Sequence, residues 1–295
     1  MTATAKLKIW IDACRPKTLP AAVCPVLIGA AMASVHGPIN KAVLTVTFLA
    51  ALMIQIGTNL ANDYFDSAKG ADTPDRVGPV RATASGLVSA ENMLRATVMV
   101  FFLAALLGLY LTYIGGKIIL VIGILSMTCG VLYTAGPFAL GYMGLGDLFV
   151  LIFFGPVAVA GTFYLQRQTC HWQVIMASLA PGLISMAILT VNNFRDRFTD
   201  QQAGKRTLVV RLGAQFGINA YAMAIMGACM TPVLLVLLCR DHYYCLLGVL
   251  SLIPGVPMIR TIQMHSEPEI LNQLLARTGK LLVIYSILFS IGWVL

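Results

Sequence analysis

The chain has 295 residues, is 58% hydrophobic and only 11% charged, and has a mean hydropathy of +0.83. A soluble domain carries about 25% charged residues, so a soluble globular fold is excluded. The apolar runs are far longer than barrel strands and point to membrane-spanning helices, an all-α integral membrane fold. The net charge of +8 would suit a nucleic-acid partner, but its distribution follows membrane topology instead, and no nucleic acid is expected.

Lys6, Lys8, Arg15 and Lys17 precede an apolar run ending in Ala31-Met-Ala33. The pattern mimics a secretory signal with its cleavage site, but the run is about 18 residues, long for a signal peptide. Many more runs follow, so it reads as a retained first span. Apolar runs give nine transmembrane helices, near 18–35, 42–62, 93–113, 118–135, 148–166, 173–194, 216–238, 243–259 and 279–295, in a single domain over 1–295. Nine spans put the termini on opposite sides. The side that holds the N-terminus then carries sixteen of the twenty Lys and Arg residues. The positive-inside rule makes that side, with its N-terminus, cytoplasmic. Eleven of the twelve acids, all but Asp241, fall there too. Acids contribute little to orientation, so a cation site is the better explanation for them.

Two Asp-rich segments end the second and sixth spans. The first reads Asn59-Leu-Ala-Asn62-Asp63-Tyr-Phe-Asp66; the second reads Asn192-Asn193-Phe-Arg195-Asp196-Arg-Phe-Thr-Asp200. Asn59, Asp63 and Asp66 fall on one helical stripe, and Asn192, Asp196 and Asp200 repeat it. The match of Asn62-x3-Asp66 to Asn192-x3-Asp196 hints at an internal duplication. Carboxylates at a membrane boundary are costly and mark function. Two facing stripes would form a cup of hard oxygen ligands, and Mg²⁺ suits it because that ion completes its shell with substrate phosphate oxygens. The alternative is that these are helix caps and solvating charges; matched spacing in two clusters favours the metal. Arg15, Lys17, Lys69, Arg76, Arg81, Arg195, Lys205 and Arg206 flank the acids. Singly each would anchor topology, and as a group they supply ligands for phosphate. Asn62 and Asn193 join them as substrate-binding candidates. The Gly/Ser/Thr-rich loop from Arg76 to Gly86 is either a lid over a diphosphate or a plain connector. Tyr133 either faces the pocket, where its ring would stabilise a cation, or sits in the interfacial aromatic belt. The seven cysteines have no CxxC pairing and no partnered histidine, so they read as free thiols and not as a zinc site. The four histidines have no ligand spacing.

With these segments in view, the chain resembles the UbiA superfamily of intramembrane prenyltransferases over essentially its whole length. Within it the chain looks most like the branch that prenylates 1,4-dihydroxy-2-naphthoate in menaquinone synthesis. That likeness rests on Arg15-Pro-Lys17-Thr-Leu-Pro20, the first Asp segment with Lys69-Gly70 and Asp72, Gly144-Leu-Gly146-Asp147, and the second Asp segment with Gly204-Lys205-x-Thr207 through Arg211-Leu-Gly213. Relatives acting on 4-hydroxybenzoate or haem carry a third Asp where Gly70 stands here. The resemblance implies a UbiA-type nine-helix bundle in the cytoplasmic membrane of a bacterium, with the active site facing the cytoplasm. It implies that Asp63, Asp66, Asp196 and Asp200, with Asn59 and Asn192, hold Mg²⁺ against the diphosphate of a polyprenyl diphosphate. It also implies attack by the naphthoate ring, loss of CO₂ and diphosphate, and demethylmenaquinone as product, the tail lying between helices or in lipid. A UbiA-type enzyme for 4-hydroxybenzoate, homogentisate or a chlorophyllide is the main alternative. A secondary transporter would place its polar residues nearer the midplane, and a CDP-alcohol phosphotransferase needs an acidic motif absent here.

Overall fold

The computed structural model describes residues 3–70 and 81–295, so Asp72, Arg76, Gly78 and Pro79 lie outside the described residues. The described chain is helical with no strand. A short helix, α1 (Ala3–Ala13), leads through a single 3₁₀ turn (Pro16–Thr18) into α2 (Pro20–Ser34) with a bend of 51°. Then come α3 (Lys41–Ala68), α4 (Ala90–Leu132), α5 (Gly146–Arg167), α6 (Trp172–Arg195), α7 (Ala214–Cys239), α8 (Tyr243–Met264) and α9 (Pro268–Val294). Among the described residues seven helices are long and apolar enough to cross a membrane, or eight if the bent pair around Pro20 counts as one span.

Local chemistry sets these boundaries. Asn40 caps α3 by accepting from the Val43 amide at 3.1 Å, and Ser89 caps α4 by accepting from Asn92 at 3.3 Å. The expected spans 93–113 and 118–135 emerge as one 43-residue helix, α4, interrupted at Gly116 with φ 68° and ψ −159°. At 1.5 Å per residue an unbroken helix of that length would run about 65 Å, roughly twice a bilayer core of about 30 Å. Glycine is the residue that tolerates the positive φ of that break. The last span begins at Pro268, well before the expected 279, and brings Asn272 and Leu275 towards the bundle. In α5, Pro156 cannot donate to the helical ladder, and the helix widens into a π turn over Phe153–Val157.

The core gathers around α6, the most enclosed span; α4 is the least enclosed. Ile184 and Val191 of α6 pack with Ile28 of α2, Tyr221 of α7, and Tyr285 and Phe289 of α9. Small residues let backbones approach, as expected where lipid offers no hydrophobic contrast between helices. A Cβ at Gly155 would stand 2.8 Å from the Ser178 carbonyl and one at Gly182 would stand 2.6 Å from that of Leu151. Exposed apolar side chains such as Val98, Phe102 and Leu109 cover the outer face of α4, which suits lipid.

A Cβ at Gly292 would collide with the Tyr244 carbonyl, which locks α9 against the first turns of α8. Gly292→Ala is expected to cost about 1–3 kcal/mol through overpacking. A lowered melting temperature of the detergent-solubilised protein is the measurement that checks it.

Candidate functional site

The last turns of α3 carry the first Asp segment. Asn59, Asn62, Asp63 and Asp66 are all buried. At 3.6 residues per turn, Asp63 stands about 60° around the helix from Asp66. The wall that α3 gives to a polar cavity of about 200 Å³ is Gln55, Thr58, Asn59, Asn62 and Asp66, on the side of the helix away from Asp63, which is not part of it. The expected stripe of Asn59, Asp63 and Asp66 is thus split. Both Asp63 oxygens turn to the connector after the first motif, accepting from the amides of Ala82 (3.0 Å) and Thr83 (2.9 Å). The Asn59 amide donates to the Cys14 carbonyl at 2.9 Å and lies 3.4 Å from the Thr18 hydroxyl, tying α3 to the turn after α1. Asn62 accepts from the Thr134 hydroxyl at 2.9 Å.

The second segment does not continue its helix. α6 ends at Arg195, Asp196 is its C-cap, and Asp200 lies on a separate short helix, Arg197–Gln202. Four residues still separate the two acids, and the Asp200 amide reaches the Asp196 carbonyl at 2.8 Å. Asn192, Asn193, Asp196 and Asp200 line the same polar cavity as Asp66, so the two segments do converge. Asp196 is held by its own neighbour: Arg195 Nε and Nη2 reach its two oxygens at 2.7 and 2.5 Å. Arg195 also donates to Asn192 (2.8 Å) and to Asn272 of α9 (2.7 Å). This planar fork anchors the end of α6 to α9.

The remaining cations divide by position. Arg15, Arg81 and Lys205 line the cavity. Arg81 Nη2 sits 2.9 Å from Asp66 Oδ2, and Lys205 Nζ lies 3.6 Å from Asp66 and 3.7 Å from Asp200. Arg15 occupies the left-handed region at φ 52°. That conformation costs of order 1–3 kcal/mol for a residue with a Cβ and concentrates at functional sites. Lys69 is directed elsewhere: its ammonium donates to the carbonyls of Thr134 (2.6 Å) and Gly136 (2.8 Å). Burial lowers the Lys69 pKa, Asp66 opposes that shift, and Lys205 adds to it. Lys17 and Arg206 are exposed and stand outside the cavity wall. Arg206 contributes through its backbone, its amide donating to the Tyr142 carbonyl at 2.8 Å.

Tyr142 is a site residue that motif reading missed. Its hydroxyl donates to Asp66 Oδ1 at 2.9 Å, and its ring lies beneath Lys69 (4.5 Å) and Lys205 (4.9 Å). It sits in a connector 76 residues from Asp66, with no spacing signal to link them. The Gly144-Leu-Gly146-Asp147 segment shapes the same connector. Gly144 has φ 78°, and a Cβ at Gly146 would stand 2.7 Å from the Tyr133 hydroxyl. Tyr133 thereby reaches the neck where the polar cavity meets an apolar cavity of about 220 Å³, a position shared with Gln55, Thr58, Val150 and Phe154. The apolar cavity runs among α3, α4 and α5.

The donor set fits a hard divalent cation only in company with a ligand. Among the described residues no group of three or more His, Cys, Asp or Glu side chains could by itself hold a metal ion. Asp66, Asp196 and Asp200 offer carboxylate oxygens, and Asn62, Asn192 and Asn193 offer amide oxygens, all facing one cavity. Mg²⁺ is commonly held by one or two carboxylates plus phosphate oxygens, which is the kind of shell these residues can complete.

Replacing Arg195 by Leu would leave Asp196 buried without its partner. Breaking a buried pair in this way costs about 3–5 kcal/mol. Arg195→Leu is therefore expected to give a sharply destabilised protein, whereas Lys205→Leu, which removes only the longer contacts of a partly exposed ammonium to Asp66 and Asp200, should lower the melting temperature clearly less. Thermal denaturation of both variants in the same detergent checks this.

The sequence profile of the UbiA prenyltransferase family matches residues 22–274. The 1,4-dihydroxy-2-naphthoate octaprenyltransferase of Escherichia coli (strain K12) is 35% identical over 98% of this chain and 96% of its own. The apo structure of a UbiA homologue from Aeropyrum pernix K1 superposes with a TM-score of 0.73 at 13% identity, covering 94% of this chain and 98% of that one. A UbiA homologue from Archaeoglobus fulgidus, solved with DMAPP and Mg²⁺, gives a TM-score of 0.67 at 12% identity over 96% of this chain and 99% of that one. The chain belongs to the UbiA prenyltransferase family.

Proposed function

We propose that the protein transfers a polyprenyl group from polyprenyl diphosphate to 1,4-dihydroxy-2-naphthoate, with loss of CO₂ and diphosphate, in menaquinone biosynthesis. The observation that carries this reading is the joining of two unlike cavities at Tyr133. One is lined by carboxylates, amides and cations; the other is walled mainly by Ala, Ile, Leu, Val and Phe side chains and by glycine backbone. A donor with a diphosphate head and a hydrocarbon tail matches both at once. The acceptor class comes from the full-length similarity to the E. coli octaprenyltransferase.

Asn62, Asp66, Asn192, Asp196 and Asp200 would hold Mg²⁺ with the diphosphate; bound there, the ion would neutralise the leaving group. It is in keeping with this that the Archaeoglobus fulgidus homologue was solved with Mg²⁺. Arg81 and Lys205, already drawn to Asp66 and Asp200, supply further positive charge to the phosphate oxygens. The Tyr133 ring stands where the allylic carbon would meet the acceptor, and its π-face favours developing positive charge. The apolar wall beyond it keeps water from that carbon. Asp63 belongs to the first motif but holds the connector and not the cavity wall.

The break at Gly116 supports reading α4 as two spans, hence nine in all with α2 as the first. The excess of Lys and Arg on the side of the polar cavity supports a cytoplasmic N-terminus and a site facing the cytoplasm of a bacterium. The chain is then one transmembrane prenyltransferase domain over 1–295.

Purified protein given polyprenyl diphosphate should prenylate the naphthoate, release CO₂, and lose all turnover in EDTA. Product from 4-hydroxybenzoate alone would keep the fold and move the acceptor assignment. The tail path has its own check. Gly161 lines the apolar cavity, and a Cβ there meets open space. Gly161→Phe should fill that space and lower turnover of long-chain donors about tenfold or more, roughly 1.4 kcal/mol, while short-chain donors are little affected. Steady-state rates across a donor series measure the difference.

A further inference from the structure

Asp63 has the sequence credentials of a metal ligand and the geometry of something else. It is buried, both of its oxygens accept from consecutive backbone amides, and it does not line the polar cavity. The two amides belong to Ala82 and Thr83, directly after Arg81. That stretch is a compact turn: the Arg81 carbonyl accepts from the amide and hydroxyl of Ser85, the Thr83 carbonyl accepts from Gly86 at 3.0 Å, and the Ala82 carbonyl accepts from Val88 at 3.0 Å. Ala82 and Val88 seat it in a small apolar cluster with Leu60, Met93 and Ala13. Arg81 leaves this turn to reach Asp66 at 2.9 Å across the cavity wall.

Resting on the prenyl-transfer reading above, we propose that Asp63 is a positioning residue and not a ligand of the metal: its carboxylate clamps the backbone at 82–83 and so presents Arg81 to the diphosphate. A charge-assisted bond to each of two amides fixes the turn in both direction and register. The metal is left to Asp66 and to the second segment. The clamp also explains why two adjacent residues, Asn62 and Asp63, both carry polar groups at a helix end. Asn62 lines the cavity, and Asp63 faces the turn at 82–83.

The test compares Asp63→Asn, which keeps size and removes charge, with Asp66→Asn. A third variant, Thr83→Pro, deletes one donor amide and leaves the carboxylate intact. Residues 82–86 form a turn, where proline is commonly accommodated. Three quantities are read on detergent-solubilised full-length protein: KM for polyprenyl diphosphate, the Mg²⁺ concentration for half-maximal turnover, and the rate of trypsin cleavage after Arg81. For Asp63→Asn and Thr83→Pro the expected result is a KM raised about tenfold, Mg²⁺ half-saturation within about twofold of wild type, and faster cleavage after Arg81. Adding Arg81→Gln to Asp63→Asn should do no further harm beyond Arg81→Gln alone, because the two act as one unit. A shift in Mg²⁺ half-saturation of about tenfold in Asp63→Asn, matching Asp66→Asn, with unchanged trypsin cleavage, overturns the clamp. If wild-type protein makes no product from the naphthoate, the acceptor assignment falls. The trypsin rates, which need no turnover, still decide the role of Asp63.

Discussion

Four carboxylates, Asp63, Asp66, Asp196 and Asp200, are buried at one end of a helical bundle. An ion in such surroundings carries an effective penalty of several kcal/mol unless its surroundings replace the lost water. The structure meets this need four different ways, and each way recruits a different part of the chain. Asp63 takes backbone amides from the connector between α3 and α4. Asp196 takes the guanidinium beside it, which α9 holds through Asn272. Asp66 takes Arg81 from one connector and Tyr142 from another. Asp200 has Lys205 nearby. Connectors that are remote in sequence are thus drawn onto the bundle end by charge, and the polar cavity is the space they enclose.

The second constraint is the neck. Tyr133 stands at the C-terminal end of α4 and belongs to both cavities. Gly146 makes room for its hydroxyl, because any Cβ there would overlap it. On the proposed reading this gives chemistry a fixed address. The charged head of the donor cannot enter the apolar cavity without losing its partners. The tail finds a less continuous apolar wall in the polar one. The bond between them is then held at the boundary, beside Tyr133 and Phe154, the two aromatic rings that line both cavities. Positioning by unlike solvation needs no contact specific to the tail, which suits a substrate made of repeating apolar units.

Much of this was legible in the sequence. Composition gave a helical membrane protein, and the runs near 42–62, 148–166, 173–194 and 216–238 became α3, α5, α6 and α7 with shifts of a few residues. The convergence of the two Asp segments was also legible, since a helical period and a shared side of the membrane suffice to predict it. What hydropathy could not show was where helices stop being straight. A run of apolar residues looks the same on either side of Gly116, and the break depends on a positive φ that only the fold reveals. The start of α9 at Pro268 was hidden because its first turns are polar and serve the site more than the membrane. Side-chain direction was hidden for another reason. Helical spacing of three and four residues permits Asn59, Asp63 and Asp66 to share a face, but a face spans more than one neighbour, and Asp63 lies near its edge. The amides that claim it belong to a connector whose course the sequence does not specify.

The two segments look like copies in sequence and act as opposites in structure. In the first, one unbroken helix carries every polar residue to the cavity end. In the second, the helix stops at Arg195 and the chain turns at Asp196 before Asp200. A true duplication would predict that equivalent acids take equivalent partners, yet Asp66 is bound by groups from distant connectors and Asp196 by its own neighbour. The carboxylates that instead correspond in function are Asp66 and Asp200, one from each segment, with Lys205 lying between them at 3.6 and 3.7 Å. With Arg81 also on Asp66, two cations stand against the two carboxylates and the cluster is close to neutral. On the proposed reading a diphosphate would draw Arg81 and Lys205 to its own oxygens and free the carboxylates for Mg²⁺, which is commonly bound by one or two carboxylates with phosphate oxygens completing its shell. On the proposed reading the two segments need only bring carboxylates to one cavity from different helix ends, which requires no equivalence between Asp66 and Asp196.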